Sequence, residues 1–172
     1  MKKFTKYILF ISLGLLCSCS DYLDIVPDNV TTLDIVFNNK NTAQRYLANC
    51  YHFVPDHGSV KRIPGMGAGH ECWFYTDKDS YFDNEVSFYI ARGLQNTNAP
   101  YANYWDGEGG SKLPMFRAIR ECNIFLSYVR DQHKVNDLTD SERKRWIAEV
   151  NVLKAYYHFF LFEHYGPIPI VD

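Results

Sequence analysis

Residues 139 to 165 carry a full set of signals for one long helix. Thr139 is followed three positions later by Glu142, the spacing of a capping box, and Gly166 before Pro167 is a typical helix end. Apolar side chains near the end of this segment point in almost every direction around the helix axis: Tyr156, Tyr157, Phe159, Phe160, Leu161, Phe162 and Tyr165. A helix that is apolar all round is buried on several sides, so we expect this one to need several partner elements.

Two earlier segments are also predicted to be helices. The first begins at Asn41 and is ended by Pro55, and its apolar residues recur with helical spacing. The second runs from about Lys112 to Asp131 and carries Phe116, Ile119, Asn123, Leu126 and Val129 on one side. A short polar link over residues 132–138 then predicts an antiparallel hairpin of the second and third helices. The predicted fold class is mainly α.

A long loop insertion is predicted between the first two helices, because glycines and prolines interrupt any periodicity over residues 56–111. The segment is too aromatic to be disordered, so it is the candidate functional surface. Sugars present C–H faces that pack on aromatic rings, while their hydroxyls need polar partners. The candidate ligand-binding residues are Trp73, Tyr75, Tyr81, Tyr101, Tyr104 and Trp105, near Asp77, Asp79, Asn84, Asn98 and Asn103. The alternative is that these rings only pack the loop onto the helices.

Residues 1–18 are predicted to be a lipoprotein signal peptide. A basic start precedes an apolar run over residues 7–16, which is about half the 20 residues that a membrane-spanning helix needs. Ser18 before Cys19 resembles a bacterial lipoprotein box, so we expect cleavage there and acyl chains on Cys19 that anchor the protein to a membrane. Residues 19–40 are predicted to be an extended tether, and residues 41–172 the folded part.

The remaining features of the sequence bear on other partners and other chemistry. The formal net charge is −2 without a basic stripe, which argues against nucleic acid as a partner. No cofactor or metal site is predicted, since His70-Glu71-Cys72 lacks the spacing of a zinc site. Cys50, Cys72 and Cys122 predict no disulfide framework, although an oxidising compartment leaves one pair open. Paired carboxylates leave a glycosidase open: Asp77, Asp79, Asp83 and Glu85, or Asp106 and Glu108.

Three blocks of residues resemble the SusD/RagB family. They are residues 19–24 after the signal, residues 116–126 of the second helix, and residues 148–171, where an aromatic helix ends in Tyr165-Gly166-Pro167-Ile168-Pro169. The resemblance implies helices in tetratricopeptide-like pairs and a lipoprotein of the outer membrane that faces the cell exterior. Since the family's polypeptide normally continues beyond this point, we expect residues 41–172 to be the N-terminal helical part of an incomplete SusD-like domain.

The resemblance also implies the function. Proteins of this kind bind glycans or other nutrients and cap a SusC-like TonB-dependent transporter, so we expect an oligo- or polysaccharide ligand, that partner, and no enzymatic activity. Two alternatives remain open from the residues alone. One is a secreted lipoprotein glycoside hydrolase, and the other is a helical-repeat scaffold that binds only protein.

Overall fold

The computed structural model describes residues 32–59, 64–65, 67–69, 86–98, 100–108 and 112–172. Within these ranges the chain is mainly helical and contains no strand, so the predicted fold class is confirmed at that level. The five helices are α1 (Leu33–Val36), α2 (Lys40–Tyr51), α3 (Val86–Ala91), α4 (Met115–Arg130) and α5 (Asp140–Tyr165).

Helix α5 begins and ends where the sequence predicts. The side chain of Thr139 accepts a hydrogen bond from the Glu142 N–H, and the Glu142 carboxylate accepts one from the Thr139 N–H, which completes the capping box. Gly166 ends the helix with φ of 75°, and its N–H donates to the Phe162 carbonyl. This left-handed conformation is one that glycine adopts without steric cost.

We expected α5 to be buried on several sides. Among the described residues it is buried on one face only. One face is buried against the rest of the domain; it carries Trp146, Val150, Leu153, Tyr157, Phe160 and Leu161. The opposite face leaves Val152, Phe159 and Phe162 exposed. Apolar residues on two opposite faces explain why the sequence alone reads as apolar all round.

Helices α4 and α5 form the predicted antiparallel hairpin, which is the main packing contact of the domain. Phe125 of α4 contacts Trp146 near the start of α5. The turn between the helices is held by Arg143, a buried side chain that donates to the carbonyls of Val129, Asp131, Lys134 and Val135. The guanidinium thereby satisfies a carbonyl in the last turn of α4, which has no partner inside the helix.

Helix α2 packs against both members of this hairpin. Its side chains Ala43, Leu47 and Cys50 are buried. The Tyr157 hydroxyl of α5 donates to the Cys50 carbonyl at 2.5 Å. Asn39 caps the start of α2 by accepting from the Thr42 N–H.

The folded part begins earlier than residue 41, so the predicted tether over residues 19–40 is too long at its C-terminal end. Phe37 is fully buried and stacks on Tyr128, with ring centroids 4.5 Å apart. Its carbonyl also accepts a hydrogen bond from the Val135 N–H. Burial of an aromatic ring outweighs the polar character of the surrounding sequence. Residues 1–31, including the predicted signal peptide, lie outside the described residues.

A short helix lies inside the segment that the sequence predicts as a loop. In α3, Val86, Ser87 and Phe88 are buried. Gly67 lies against this helix, since a Cβ at that position would be 2.7 Å from the Ser87 Cβ. A helix of six residues is too short to leave a periodic signal in sequence. Among the described helices, none is long and apolar enough to cross a membrane.

Candidate functional site

Residues 100–108 form a loop that Tyr104 fixes to the helical domain. The Tyr104 ring is 1% exposed and meets Phe160 and His164 of α5 edge to face. Its carbonyl accepts from the Met115 N–H at the start of α4. Burial raises the pKa of the Tyr104 hydroxyl well above its ordinary value, so this side chain stays protonated in the core.

The last residue of α5 makes a second attachment. The Tyr165 hydroxyl accepts a hydrogen bond from the Tyr104 N–H at 2.8 Å and donates to the Ala102 carbonyl at 3.3 Å. Burial raises the pKa of Tyr165, which keeps the donated proton in place. Backbone groups on both sides of residue 103 are therefore tied to the end of one helix.

Trp105 follows the buried Tyr104 and lies at the surface, where it is 44% exposed. Its ring contacts Phe116 of α4 at 4.5 Å between centroids and Tyr165 at 5.8 Å, the latter edge to face. We call Trp105, Phe116 and Tyr165 the aromatic surface. Because two of its rings belong to long helices, Trp105 is supported by a rigid base.

A polar turn adjoins the aromatic surface. The Asn103 side chain donates to the Asp106 carboxylate at 2.6 Å and accepts from the Trp105 N–H. The same carboxylate oxygen accepts from the Glu108 N–H. Gly107 completes the turn with φ of 80°, and a Cβ there would lie 2.7 Å from the Pro114 nitrogen. The turn therefore requires glycine on two grounds, conformation and space.

A second pair of rings lies at the start of the same loop. Tyr89 of α3 stacks on Tyr101, with centroids 4.2 Å apart and ring planes 8° from parallel. Gln95 supports the pair, since its side-chain carbonyl accepts from the Tyr101 N–H at 2.8 Å. Stacking on Tyr89 occupies one face of Tyr101.

The structure distributes the predicted ligand-binding residues among different environments. Trp105 is exposed on a firm base, Tyr101 is half-buried in a stack, and Tyr104 is buried, so its ring offers no face to a ligand. Trp73, Tyr75 and Tyr81, together with the predicted lipidation site Cys19, lie outside the described residues. The prediction that these residues bind ligand or lipid stays a prediction.

Sequence reasoning missed Phe116 and Tyr165 as parts of the surface. It assigned both to helix faces, which is correct for the backbone but says nothing about their contact with Trp105. One signal was present in the sequence. Phe116 stands at the start of the predicted second helix and Tyr165 at the end of the third. In an antiparallel hairpin these two helix ends lie side by side.

One of the candidate glycosidase carboxylates has a structural role in the loop. Asp106, one of the candidate glycosidase carboxylates, accepts the two hydrogen bonds that build the turn. Among the described residues no group of three His, Cys, Asp or Glu side chains is placed to hold a metal ion. Asp77, Asp79, Asp83, Glu85 and the His70-Glu71-Cys72 segment lie outside the described residues.

A cleft of about 760 Å³ lies apart from the aromatic surface, between α4 and α5. Arg130, Asn151 and His158 line it, together with Ile170 and Asp172. Lys154 forms an ion pair with Asp172 at 3.1 Å, and the Val171 N–H donates to His158 Nε2. Val171 and Asp172 thus each contact a side chain of α5 at this cleft.

Comparison with known proteins identifies the family to which the chain belongs. Residues 21–172 match the sequence model of a SusD-like family described as starch-binding and associating with the outer membrane. The chain belongs to this family, as its sequence resemblance predicts. Membership implies glycan binding together with outer-membrane uptake systems, by proteins that are generally not catalysts. Neither the curated proteins nor the solved structures include a match to the chain.

Proposed function

We propose that this protein is a surface lipoprotein that binds a glycan on the aromatic surface and passes it to a SusC-like TonB-dependent transporter. Acyl chains on Cys19 hold it at the outer membrane, facing the cell exterior, and it catalyses no reaction. The observation that carries the proposal is an exposed Trp105 on a rigid base in a chain whose family is described as starch-binding.

The chemistry of the aromatic surface suits a sugar. An indole ring offers a large flat apolar face, against which the C–H face of a pyranose packs. Asn103 and Asp106 lie beside it with amide and carboxylate groups that exchange hydrogen bonds with hydroxyls. Because the turn and the helix ends already hold these groups, little conformational entropy is lost when a ligand binds.

The helical frame suits a binding protein of this family. We propose that α4 and α5 form one tetratricopeptide-like pair and that the segment between α2 and α4 is an insertion that carries the site. Support for this division comes from the antiparallel hairpin and from the loop bonds to both of its helices. In this arrangement the helices are the scaffold and the insertion determines which ligand binds.

The test is a comparison of Trp105→Ala with Phe159→Ala in the full chain. Phe159 is an exposed ring on the outer face of α5, away from the loop, so it is a matched control for loss of a surface aromatic. On native gels containing soluble starch, we expect Trp105→Ala to bind roughly tenfold more weakly, which corresponds to about 1.4 kcal/mol. Phe159→Ala should migrate as the wild type does.

Equal retardation of wild type and Trp105→Ala by starch would contradict the assignment of the aromatic surface. Release of reducing sugar from starch by the purified chain would instead support the glycosidase alternative. The anchor is tested separately by metabolic labelling with a fatty acid, which should mark the wild type and leave Cys19→Ala unlabelled. Binding of the transporter barrel without any glycan binding would favour the scaffold alternative.

A further inference from the structure

Two cysteine side chains meet inside the core, away from the aromatic surface. Cys50 near the end of α2 and Cys122 in the middle of α4 are both fully buried and are free thiols in the structure. Both belong to the one buried cluster where α2 packs on α4, and the Tyr46 and Phe125 rings of the same two helices stack beside them with centroids 6.4 Å apart. The neighbouring Cys122 thiol, with burial as the second cause, raises the pKa of the Cys50 thiol above its ordinary value.

Hydrogen bonds on both sides hold the two helices at this contact. One turn before Cys50, the Tyr46 hydroxyl donates to the carboxylate of Glu121, the residue that precedes Cys122. On the other side, the Tyr157 hydroxyl donates to the Cys50 carbonyl. The approach of the two thiols is therefore fixed by flanking contacts on α4 and α5.

We propose that Cys50 and Cys122 are joined by a disulfide in the mature protein. The family is associated with the outer membrane, and proteins exported from the cytoplasm fold where disulfides form and persist. The oxidant is a protein disulfide of the cell envelope. One cysteine thiolate attacks the oxidant's disulfide to give a mixed disulfide and frees one oxidant thiolate. The second cysteine thiolate then attacks the mixed disulfide and frees the other oxidant thiolate. The oxidant leaves as a dithiol that carries the two electrons and the two protons lost by Cys50 and Cys122.

Burial determines when the bond forms. A protonated thiol in a closed core reacts slowly, because the thiolate is the nucleophile. Exchange is therefore expected while the chain folds, before α5 covers the pair. The bond closes a loop of about 70 residues, which in the chain-entropy account places it among the more stabilising cross-links. That loop contains α3 and Trp105, so the cross-link fixes both ends of the segment that carries the aromatic surface.

The experiment uses the chain purified from bacterial envelopes, with its free thiols blocked by alkylation in denaturant so that buried thiols react as well. Cys72→Ser serves as the parent, since it removes the one other cysteine that follows Cys19. Peptide mass spectrometry should find Cys50 and Cys122 in one linked pair of peptides, lighter by two hydrogen atoms than the sum of the two thiol peptides. Reduction should release both and make them available to a second alkylating agent.

Cys122→Ala provides the second measurement, because it should leave Cys50 alkylated by the first agent even if the fold is weakened. Melting of the parent in the presence of a reducing agent should occur on the order of 10 °C lower than in its absence. Recovery of Cys50 and Cys122 as separately alkylated peptides from the parent would overturn the proposal. A link between Cys72 and either cysteine in the wild type would also overturn it.

Discussion

Arg143→Ala is expected to destabilise the hairpin of α4 and α5 far more than removal of an exposed arginine from the same helix. The Arg143 guanidinium donates four hydrogen bonds to backbone carbonyls at the turn, and those to Val129 and Val135 are buried. The other two carbonyls, of Asp131 and Lys134, are partly exposed, so water replaces the lost donor there.

The magnitude follows from the two buried carbonyls. A buried acceptor left without a partner costs about 1–3 kcal/mol, so the pair costs about 2–6 kcal/mol. This is a large part of the roughly 5–15 kcal/mol that stabilises a typical domain. With a urea slope of about 2 kcal/mol per molar, the unfolding midpoint of the full chain should fall by about 1–3 M.

The assay is urea unfolding followed by circular dichroism, with two further variants. Arg145→Ala removes a side chain that is 67% exposed and pairs with Glu149 at 3.5 Å, so its effect should stay within about 0.5 kcal/mol. Arg143→Met keeps the apolar stem but no donor, and should resemble Arg143→Ala. If Arg143→Met matched the wild type, packing of the stem would explain the stability and the hydrogen-bond argument would be refuted.

Three further variants test other parts of the molecule. Gly107→Ala should weaken retardation on starch gels, because the added Cβ collides with Pro114 and displaces the turn beside Trp105. Phe37→Ala should lower the free energy of unfolding by about 3–5 kcal/mol in urea, since that ring is fully buried. Glu142→Gln should flatten the dependence of stability on pH. The hydrogen bond from Lys40 is the first cause that lowers the pKa of Glu142 to about 2, against about 4.3 when unfolded. Between these values the unfolded state binds more protons, so the stability of the wild type falls as pH decreases through that window, as urea unfolding at stepped pH would show.

Each of these three predictions has an outcome that would contradict it. Gly65→Ala has no atom within 4 Å of the added Cβ, so an equal effect of Gly65→Ala and Gly107→Ala on binding would disprove the steric reason. Ile35→Ala changes an exposed residue of α1 and should cost less than Phe37→Ala. Identical pH profiles for wild type and Glu142→Gln would show that the bond from Lys40 does not contribute to stability.

The long helices could be predicted from sequence because their signals are local and repeated. The cap at Thr139, the stop at Gly166 and the apolar spacing act within the helix itself, and the structure has all three. Arg143 shows where this reasoning ends. It falls three residues before the buried Trp146, a position that belongs to the buried face. Its charge nevertheless predicts an exposed side chain, because the sequence does not show the four carbonyl groups that accept its hydrogen bonds.

The candidate site was harder to predict because the loop has no period. Tyr104 and Trp105 are adjacent aromatic residues with the same surroundings in sequence, yet one is buried and the other exposed. Tertiary hydrogen bonds distinguish the two residues. The Met115 N–H donates to the Tyr104 carbonyl, and the Tyr104 N–H donates to the Tyr165 hydroxyl. The short α3 and the burial of Phe37 were missed for a related reason, since both depend on tertiary contacts with distant segments.

The adjacency of an inward Tyr104 and an outward Trp105 has a consequence for how such proteins diversify. Tyr104 attaches the loop, and the proposed recognition rests on the separate side chain of Trp105. We therefore expect a substitution at position 105 to change ligand binding without loosening the loop, and one at position 104 to loosen the loop. On the proposed function, new nutrient preferences would then need only single changes that leave the architecture intact.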